Sequence, residues 1–361
     1  MSKRRVLFVM HMPPPVHGAA VVGAQIRDSR RVSDAFECRY LNLSASSSLE
    51  EIGRRRFRKL FFVAHLLRQV QRELREWKPD LVYLTPTSQL PALFKDFAVA
   101  CLARMYGCKR VLHFHNVGVA ARSDRWLDDW VYRRLFDDAR VILLSDRLRP
   151  DVEKYVPAER ISICPNGVAE MAFPAVPDSS APILLFVSNL SRSKGIYTLL
   201  EACRILRGKV VPFRCEIAGG ETSDLNAEGL RRLLREYDLE DWVRYHGPVY
   251  ESEKAALFAQ ASVFVFPSYN EAQSLVVIEA LSARLPVITT PVGALPDLVV
   301  EDENGYLVTP GDASALADRI ENLLASPERR RKLGESSYAR YRELFTLDQF
   351  EKKIVSILSD A

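Results

Sequence analysis

Short apolar runs alternate with longer amphipathic stretches along the chain, and this alternation predicts strands separated by helices. Residues 6–10 (VLFVM), 183–188 (ILLFVS) and 263–266 (VFVF) are apolar at nearly every position. Strands buried on both faces of a parallel sheet have this composition, because helices cover the two faces. The pattern therefore predicts an α/β protein with parallel sheets.

The strand-and-helix pattern occurs twice, and residues 172–182, which are rich in proline and serine and carry no periodicity, separate the two occurrences. A chain of 361 residues is long enough for two domains of ordinary size. We therefore predict a first domain at residues 1–171, a linker at 172–182 and a second domain at 183–337. Residues 338–361 are assigned to a terminal helical segment.

Two glutamates flank the start of an apolar helix predicted at residues 275–281. Glu271 lies in the preceding loop, and Glu279 lies inside the helix. A buried ionised carboxylate needs hydrogen-bond donors, and the free N–H groups at a helix start near Ser274 favour a phosphate. Carboxylates that accept from hydroxyls beside a phosphate site indicate nucleotide-sugar binding. The alternative is a Glu279 satisfied by a backbone group or an arginine, with Glu271 in solvent.

The same stretch resembles the retaining family-four glycosyltransferases of the group 1, glycogen-synthase-like type. The resemblance rests on Glu271-x7-Glu279 within NEAQSLVVIEAL, followed by LPVITTPVGALPDLV and ENGYLVTPGD, and it extends over nearly the whole chain. It implies a GT-B fold, in which two Rossmann-like domains face each other across a cleft. It also implies that the last helix, near residues 338–358, crosses back onto the first domain.

Basic residues follow the first strand of the second half, where Arg192 and Lys194 precede Gly195. A lysine point charge and an arginine fork suit a diphosphate. The resemblance implies this role for both residues, and it implies that Arg192 supplies the charge missing at Asn189, where relatives carry arginine. A basic turn of this kind is otherwise a solvated surface feature.

The resemblance assigns further positions in the second half to the donor. They are Gly219 in a glycine-rich loop, Val249 and Tyr250 beside the nucleobase, the amides of Ser274, Leu275 and Val276 on the phosphates, Glu271 at the sugar hydroxyls and Glu279 at the ribose hydroxyls. No DxD sequence occurs, so neither a metal nor another cofactor is expected. A UDP-sugar is the expected donor substrate.

Two positions in the first half are candidate site residues. Gly18 follows the first strand in HMPPPVHGAA and precedes a helix predicted at residues 21–30, where small residues allow a close backbone approach. His115 follows His113 at the tip of the strand VLHF, and the resemblance implies that His115 reaches the donor sugar. His113 is interpreted as a core histidine with its hydrogen bonds satisfied. Gly18 is otherwise only part of a tight turn.

The helix predicted over residues 50–77 begins with a basic and aromatic cluster. The cluster consists of Arg54, Arg55, Arg56, Phe57, Arg58, Lys59, Phe61 and Phe62. Helix ends of this composition bind anionic membrane surfaces, which predicts peripheral contact with the inner face of the plasma membrane. The alternative is a solvated charged face whose aromatic side chains pack into the core. The predicted core stripe of this helix is formed by positions 60, 64, 67, 70 or 71, 74 and 77.

Composition argues against several other classes. The net charge of +4 gives no argument for nucleic-acid binding, and the six cysteines form no CxxC pair, which is typical of reduced intracellular thiols. The start MSKRR leads directly into a strand rather than a signal peptide, and no run of about eighteen apolar residues occurs. We therefore expect a cytoplasmic protein without a spanning helix.

Together these features predict a retaining glycosyltransferase of the bacterial polysaccharide-assembly type. It would move a hexose or N-acetylhexosamine from a nucleotide-diphosphate sugar to a glycan or a polyprenyl-diphosphate-linked acceptor. The alternatives are a nucleotide-sugar epimerase of the same fold and a non-catalytic scaffold that binds the donor. A dinucleotide oxidoreductase is disfavoured, because no strand is followed by GxGxxG.

Overall fold

The computed structural model describes residues 3–44, 55–174, 181–209 and 212–361, and it describes the side chains of these residues except those of 55–60. The chain divides into two compact units. The first unit consists of Met1–Asn166 and Asp348–Ala361, and the second consists of Gly167–Leu347.

The first unit is built on a parallel sheet in the order β2-β1-β3-β4-β5-β6. Its strands are β1 (Arg4–Met10), β2 (Phe36–Asn42), β3 (Leu81–Leu84), β4 (Lys109–His113), β5 (Arg140–Leu143) and β6 (Ile161–Ile163). Its helices before the domain boundary are α1 (Gly18–Asp28), α2 (Arg30–Ala35), α3 (Arg55–Arg72), α4 (Leu93–Met105) and α5 (Trp126–Leu135). The apolar runs form the central strands, because helices bury both of their faces.

Helix α1 begins three residues earlier than the sequence predicted, at Gly18 rather than at residue 21. His17 caps it, because its Nδ1 accepts a hydrogen bond from the amide of Ala20 at 3.4 Å. The close backbone approach lies at Gly23 and not at Gly18, since a Cβ on Gly23 would lie 1.9 Å from the carbonyl oxygen of His11.

Helix α3 continues into a π-helical turn at Glu73–Trp77. Its buried apolar residues are Leu66, Val70, Leu74 and Trp77. The predicted stripe is therefore correct at positions 70, 74 and 77, but Leu66 is buried where position 67 was predicted, and residue 67 is only half-buried. Position 64 is half-buried, and the side chain at position 60 lies outside the described residues.

The second unit repeats the architecture with the sheet order β12-β11-β10-β7-β8-β9, again parallel throughout. Its strands are β7 (Ile183–Val187), β8 (Arg214–Ala218), β9 (Val243–Tyr245), β10 (Val263–Phe266), β11 (Val287–Thr289) and β12 (Gly305–Leu307). Its helices are α6 (Ile196–Arg207), α7 (Ala227–Glu236), α8 (Glu251–Gln260), α9 (Leu275–Ser282), α10 (Leu295–Leu298), α11 (Ala313–Leu324) and α12 (Pro327–Leu344). Helix α13 (Leu347–Asp360) follows.

The unit boundaries differ from the predicted linker at 172–182 and from the predicted terminal segment at 338–361. Residues from Gly167 onward belong to the second unit. Val168 forms a bridge with Thr346, and the hydroxyl of Tyr341 donates to the carbonyl of Val168 at 3.1 Å. The predicted last helix corresponds to two helices, α12 and α13, which Phe345 and Thr346 separate.

Helix α13 belongs to the first unit from Asp348 onward. Arg31 forms an ion pair with Asp348 at 2.6 Å, and Arg4 donates to the carbonyl oxygens of Leu358 and Ala361, each at 2.8 Å. These contacts attach the end of the chain to β1 and α2. No helix in the described ranges of the chain has both the length and the apolarity needed to cross a bilayer.

Candidate functional site

The second unit has one place where its chain order reverses, between the neighbouring strands β7 and β10. The chain runs outward from β7 to β9 on one side and from β10 to β12 on the other. Open α/β sheets bind ligands beyond the carboxyl ends of the strands at such a point, because the two following loops diverge there. Lys194 lies in the loop after β7, and Glu271 lies in the loop after β10. Two of the predicted site residues therefore flank this position.

Lys194 and Glu271 form an ion pair, in which Lys194 Nζ donates to Glu271 Oε1. The side chain of Lys194 is 30% exposed and that of Glu271 is 12% exposed, so a ligand in solvent can reach the lysine. The alternative of a solvated Glu271 is therefore wrong. The pair joins a cation suited to phosphate and a carboxylate suited to hydroxyls at one point.

Gly195 fixes the loop that carries Lys194. Its φ is +81°, and a Cβ there would lie 2.0 Å from the carbonyl oxygen of Pro267, so a side chain does not fit. The amide of Tyr269 donates to the carbonyl of Ser193 at 2.8 Å. The loops after β7 and β10 are thus bonded to each other through their backbones, which holds Lys194 against the Glu271 loop.

The Glu271 loop is also supported from its other side by the loop after β11. Gly293 has a φ of +54°, and a Cβ on it would lie 1.8 Å from the carbonyl oxygen of Glu271. The amide of Ala294 donates to the carbonyl of Ala272 at 2.8 Å. Sequence reasoning did not select Gly293, although a glycine in the loop that follows an apolar run is a usable signal for close approach.

Helix α9 begins where the sequence predicted, with Ser274 as its N-cap residue. Its first intrahelical bond runs from the amide of Ile278 to the carbonyl of Ser274 at 3.3 Å, so the amides of Ser274, Leu275 and Val276 precede the bonded ladder. The first turn contains no acidic residue. The dipole and the amides together make this end suitable for an anion.

Glu279 is buried in the second turn of α9 and forms an ion pair with Lys254 of α8. Lys254 Nζ donates to Glu279 Oε1 at 2.6 Å. Glu279 Oε2 is buried and has no hydrogen-bond partner among the described residues. Burial raises the pKa of Glu279 above its ordinary value, and the charge of Lys254 opposes that rise. The predicted alternative of a fully satisfied Glu279 therefore applies to only one of its two oxygens, and the partner is a lysine.

Arg192 and Asn189 lie in the same loop as Lys194 but have other contacts. The guanidinium of the exposed Arg192 lies 4.8 Å from the ring centroid of Tyr197, and its amide donates to Asp224 at 3.0 Å. Asn189 Oδ1 accepts from the amide of Gly220 at 3.2 Å. Asn189 therefore joins the loops after β7 and β8, and the assignment of the missing charge to Arg192 stays a prediction.

Gly219 occupies a crowded position after β8. Its φ is +149°, and a Cβ would lie 1.9 Å from the carbonyl oxygen of Ser188. The hydroxyl of Tyr245 donates to the carbonyl of Gly219 at 2.8 Å. Val249 is half-buried against the core, and Tyr250, the N-cap residue of α8, is 61% exposed. Of the two residues predicted to lie beside the nucleobase, Tyr250 therefore presents an exposed aromatic ring.

The sequence contains six histidines, and four of them lie in the first unit near the carboxyl ends of β1 and β4: His11, His17, His113 and His115. The rings of His113 and His115 are 4.1 Å apart, and those of His11 and His17 are 5.4 Å apart. Burial, with the neighbouring charges of His11 and His17, lowers the pKa of His115 to about 3. Burial, Lys95 and His17 lower the pKa of His11 to about 4. His115 and His11 are therefore neutral near pH 7.

His113 is the fully buried member of this group, and only one side of its ring is satisfied. Its Nδ1 is 2.5 Å from the hydroxyl of Tyr83, while its Nε2 is buried without a partner among the described residues. The expectation of a core histidine is correct for its burial but incomplete for its hydrogen bonding. The Nε2 of His115 is likewise buried without a partner in the described chain. Gly18 lies at the exposed start of α1, beside His17.

Lys254 is the charged site residue that sequence reasoning missed. It lies 25 positions before Glu279 on another helix, and only the fold brings their side chains into contact. Among the described residues, no group of three or more histidine, cysteine, aspartate or glutamate side chains has the arrangement to hold a metal ion.

Two consecutive Rossmann-like units define the GT-B fold class, and solved structures of this class align with the whole chain. A sucrose-phosphate synthase from Thermosynechococcus elongatus aligns with a TM-score of 0.79 at 21% identity, covering 99% of both chains. Anabaena Alr3699/HepE, solved in complex with UDP-glucose, aligns with a TM-score of 0.77 at 17% identity, covering 99% of this chain and 100% of that one.

Two family models match adjacent segments of the sequence. The model described as "Glycosyl transferases group 1" matches residues 169–340, and "Glycosyltransferase Family 4" matches residues 33–170. Two glycosyltransferase models thus cover residues 33–340 between them, and the group 1 likeness belongs to the second half of the chain. It is 31% identical over 218 residues to WcaL of Escherichia coli (strain K12), whose name assigns it to colanic acid biosynthesis. That match covers 57% of this chain and 53% of WcaL, and the chain spans about half the length of the curated relatives it matches.

Proposed function

We propose that the protein is a retaining glycosyltransferase that moves a hexose or N-acetylhexosamine from a UDP-sugar to an acceptor in cell-surface polysaccharide synthesis. The observation that carries the proposal is the Lys194–Glu271 ion pair beside the free amino end of α9. The likeness to WcaL supports the polysaccharide role, and the UDP-glucose bound to the solved relative supports the donor class.

The leaving group of such a reaction is a nucleoside diphosphate, and its negative charge increases as the anomeric carbon–oxygen bond breaks. Lys194 and the first-turn amides of α9 supply positive charge that is already in place in the fold. Preorganised charge of this kind stabilises a transition state more than a ground state. Arg192, which is exposed in the same loop, can add its guanidinium to the diphosphate.

The carboxylates have separate parts in the proposal. Glu271 accepts hydrogen bonds from hydroxyls of the donor sugar once the diphosphate draws Lys194 away, and Glu279 accepts from the ribose hydroxyls. The acceptor hydroxyl attacks the anomeric carbon on the face that the diphosphate leaves. Its proton passes to the departing diphosphate oxygen, so that the new glycosidic bond replaces the broken one with the same configuration. The sequence offers no requirement for a metal in this scheme.

His115 has a complementary part from the first unit. A neutral imidazole with an unpartnered nitrogen donates a hydrogen bond to a hydroxyl without attracting a counterion. We assign it to a hydroxyl of the sugar substrate. Gly18 at the start of α1 leaves that edge of the first unit open to the acceptor.

The acceptor in the proposal is a glycan or a polyprenyl-diphosphate-linked sugar at the cytoplasmic side of the membrane. The support lies at the start of α3, where Phe61 is 75% exposed and the preceding sequence is basic. Arg54 of the predicted cluster lies outside the described residues, as do the side chains of Arg55, Arg56, Phe57, Arg58 and Lys59. The exposure of Phe61 supports the membrane interpretation, whereas the half-buried Phe62 fits the alternative of an aromatic ring that packs inward.

The test is donor hydrolysis without an acceptor. Purified protein in EDTA is incubated with UDP-, GDP-, ADP- and dTDP-sugars, and the released nucleoside diphosphate is measured for the wild type, Glu271→Ala and a control variant, Glu321→Ala. Glu321 is a matched control because it forms an ion pair with Lys209 at 2.5 Å in the same unit. We expect slow release from a UDP-sugar that is lost only in Glu271→Ala.

The products distinguish the rival activities. A sugar of changed configuration would identify an epimerase, and donor binding without turnover on any lipid-linked or glycan acceptor would identify a scaffold. A protein that binds none of the nucleoside diphosphates would overturn the assignment of this site.

A further inference from the structure

Glu279 is held by a charged neighbour that no family match assigns a role. Lys254 lies one turn into α8 at the position four residues after Tyr250, and its amide donates to the carbonyl of Tyr250 at 3.3 Å. Its side chain is 24% exposed, while that of Glu279 is 14% exposed. The helix that begins at the predicted nucleobase position therefore reaches across to the glutamate on α9.

The ion pair uses only half of the Glu279 carboxylate. Oε1 accepts from Lys254 at 2.6 Å, and Oε2 is buried without a partner in the described part of the chain. A buried acceptor without a donor costs free energy, so its presence in a stable fold indicates a position that a ligand satisfies. Hydroxyl groups are suitable ligands, since they donate to a carboxylate and need no further charge.

We propose that Lys254 is a positioning residue for nucleoside recognition, which orients Glu279 through Oε1 and leaves Oε2 to accept from the ribose hydroxyls of the donor. This inference rests on the proposed function, because it concerns the same donor. It adds a residue that acts through Glu279 rather than by touching the reacting atoms.

The charge of Lys254 also keeps Glu279 in the form that accepts hydrogen bonds. Burial raises the pKa of Glu279, and Lys254 is the charged group that lowers it. Helix α12 also packs against α9, and its Glu335 forms an ion pair at 2.6 Å with Arg284, which follows the end of α9. Without Lys254 the carboxyl group would hold its proton to higher pH and would no longer accept with both oxygens.

A purely structural ion pair would make a different prediction. Lys254 would then stabilise the contact between α8 and α9, and its loss would weaken folding or lower the affinity for every ligand by the same factor. A positioning role instead changes discrimination between nucleotides that differ only in their ribose hydroxyls. The ratio of the affinities for nucleotides with and without ribose hydroxyls therefore distinguishes the two roles, because this ratio does not depend on the fraction of folded protein.

The experiment measures the dissociation constants of UDP and 2′,3′-dideoxy-UDP by calorimetry from pH 6 to pH 8.5. Wild type, Lys254→Met, Lys254→Arg and the control Lys209→Met are compared, since Lys209 is an equally ion-paired lysine of the same unit. We expect wild type to prefer UDP by about 10- to 100-fold, because hydrogen bonds to a charged group are the strong ones.

Lys254→Met should lose most of that preference, and the loss should be largest at the lowest pH, because burial favours the protonated form of Glu279 once the charge of Lys254 is gone. Lys254→Arg and Lys209→Met should keep it at every pH. An unchanged UDP preference in Lys254→Met at pH 6 would overturn the inference and leave a structural ion pair. If wild type bound neither UDP nor any other nucleoside diphosphate, the proposed function itself would fail, and that outcome is distinct from the former one.

Discussion

The two units share an architecture but differ in the chemistry at the carboxyl ends of their strands. Each unit has a parallel sheet of six strands. The second unit has paired charges there, Lys194 with Glu271 and Lys254 with Glu279. The first unit has histidines whose pKa values are lowered, as for His115 to about 3 by burial and the charges of His11 and His17. The candidate site of the second unit is therefore built on ion pairs, whereas the edge of the first unit carries neutral imidazoles next to the Lys95–Asp96 ion pair, whose charged atoms are 3.3 Å apart.

Under the proposed function, this difference would match the two kinds of group that a sugar transfer must bind. A diphosphate carries charge that must be balanced, so it requires cations and helix amides. A sugar or an acceptor offers hydroxyls, which neutral donors and acceptors recognise without a desolvated counterion. The same fold thus supports two binding chemistries, because the ends of its strands are where side chains can change without disturbing the core.

The largest expected effect comes from removing the cation of the Lys194–Glu271 ion pair. Lys194→Met should lower turnover of the UDP-sugar by roughly 100- to 1,000-fold, as expected when one group that stabilises developing negative charge is lost. The variant leaves Glu271 without its partner, which further disfavours a bound diphosphate. Initial rates of UDP release, measured at saturating donor, provide the test.

Lys209→Met is the control for that change, because it removes the same charge from an ion pair with Glu321. It should retain wild-type turnover. A fall in turnover of less than about tenfold in Lys194→Met would mean that the helix amides alone stabilise the leaving group. The Lys194 cation would then have no catalytic role.

An intermediate effect is expected from the neutral imidazoles of the first unit on lowering the pH. The pKa of folded His115 is about 3, below its unfolded value, so the unfolded state binds the proton first. Its contribution to stability is complete above the unfolded pKa and is lost as the pH falls toward the folded value. Between pH 7 and pH 5 this amounts to about 2 kcal/mol for one histidine.

Urea denaturation at pH 7 and pH 5 measures this loss through tryptophan fluorescence, since Trp77, Trp126 and Trp130 all lie in the first unit. His115→Asn should show a smaller loss between the two pH values than wild type. His65→Gln removes an exposed histidine of the same unit and should behave like wild type. Equal pH dependence in all three proteins would show that His115 ionises as freely in the fold as outside it.

Strand positions and the main site segment could be predicted from sequence because their signals are local. Completely apolar runs specify buried parallel strands, and the start of α9 near Ser274 follows from the turn residues before an apolar stretch. Glu271 and Glu279 could be selected because both lie within that short segment. The start of α1 was misplaced by three residues, since a histidine cap is not a usual signal.

The remaining site features depend on contacts between distant residues. Lys254 and Glu279 are joined only by the packing of α8 and α9, and the four histidines meet because β1 and β4 end at the same edge. The boundary at Gly167 depends on the bridge between Val168 and Thr346, which composition alone does not predict. Tertiary pairing of this kind leaves no periodic trace in a single sequence.

The smallest expected effect concerns a second difference between the two units, which lies in their exposed apolar side chains. Large exposed apolar side chains are concentrated on the first unit, and Phe61 and Trp126 at the starts of α3 and α5 are 75% and 80% exposed. If α3 contacts an anionic membrane, Phe61→Ser should weaken binding to vesicles that contain phosphatidylglycerol by about tenfold or less, the scale expected for one Phe side chain. Vesicle sedimentation at low salt measures the change.

Met105→Ser is the matched control for Phe61→Ser, because Met105 is 78% exposed on the same unit but lies at the carboxyl end of α4. It should bind vesicles like wild type, whereas raising the salt should weaken binding of both proteins, since the basic start of α3 contributes by charge. Equal losses in the two variants would indicate non-specific adhesion of apolar side chains. In that case the proposed membrane contact through α3 would fail, and the exposure of Phe61 would carry no argument for a lipid-linked acceptor.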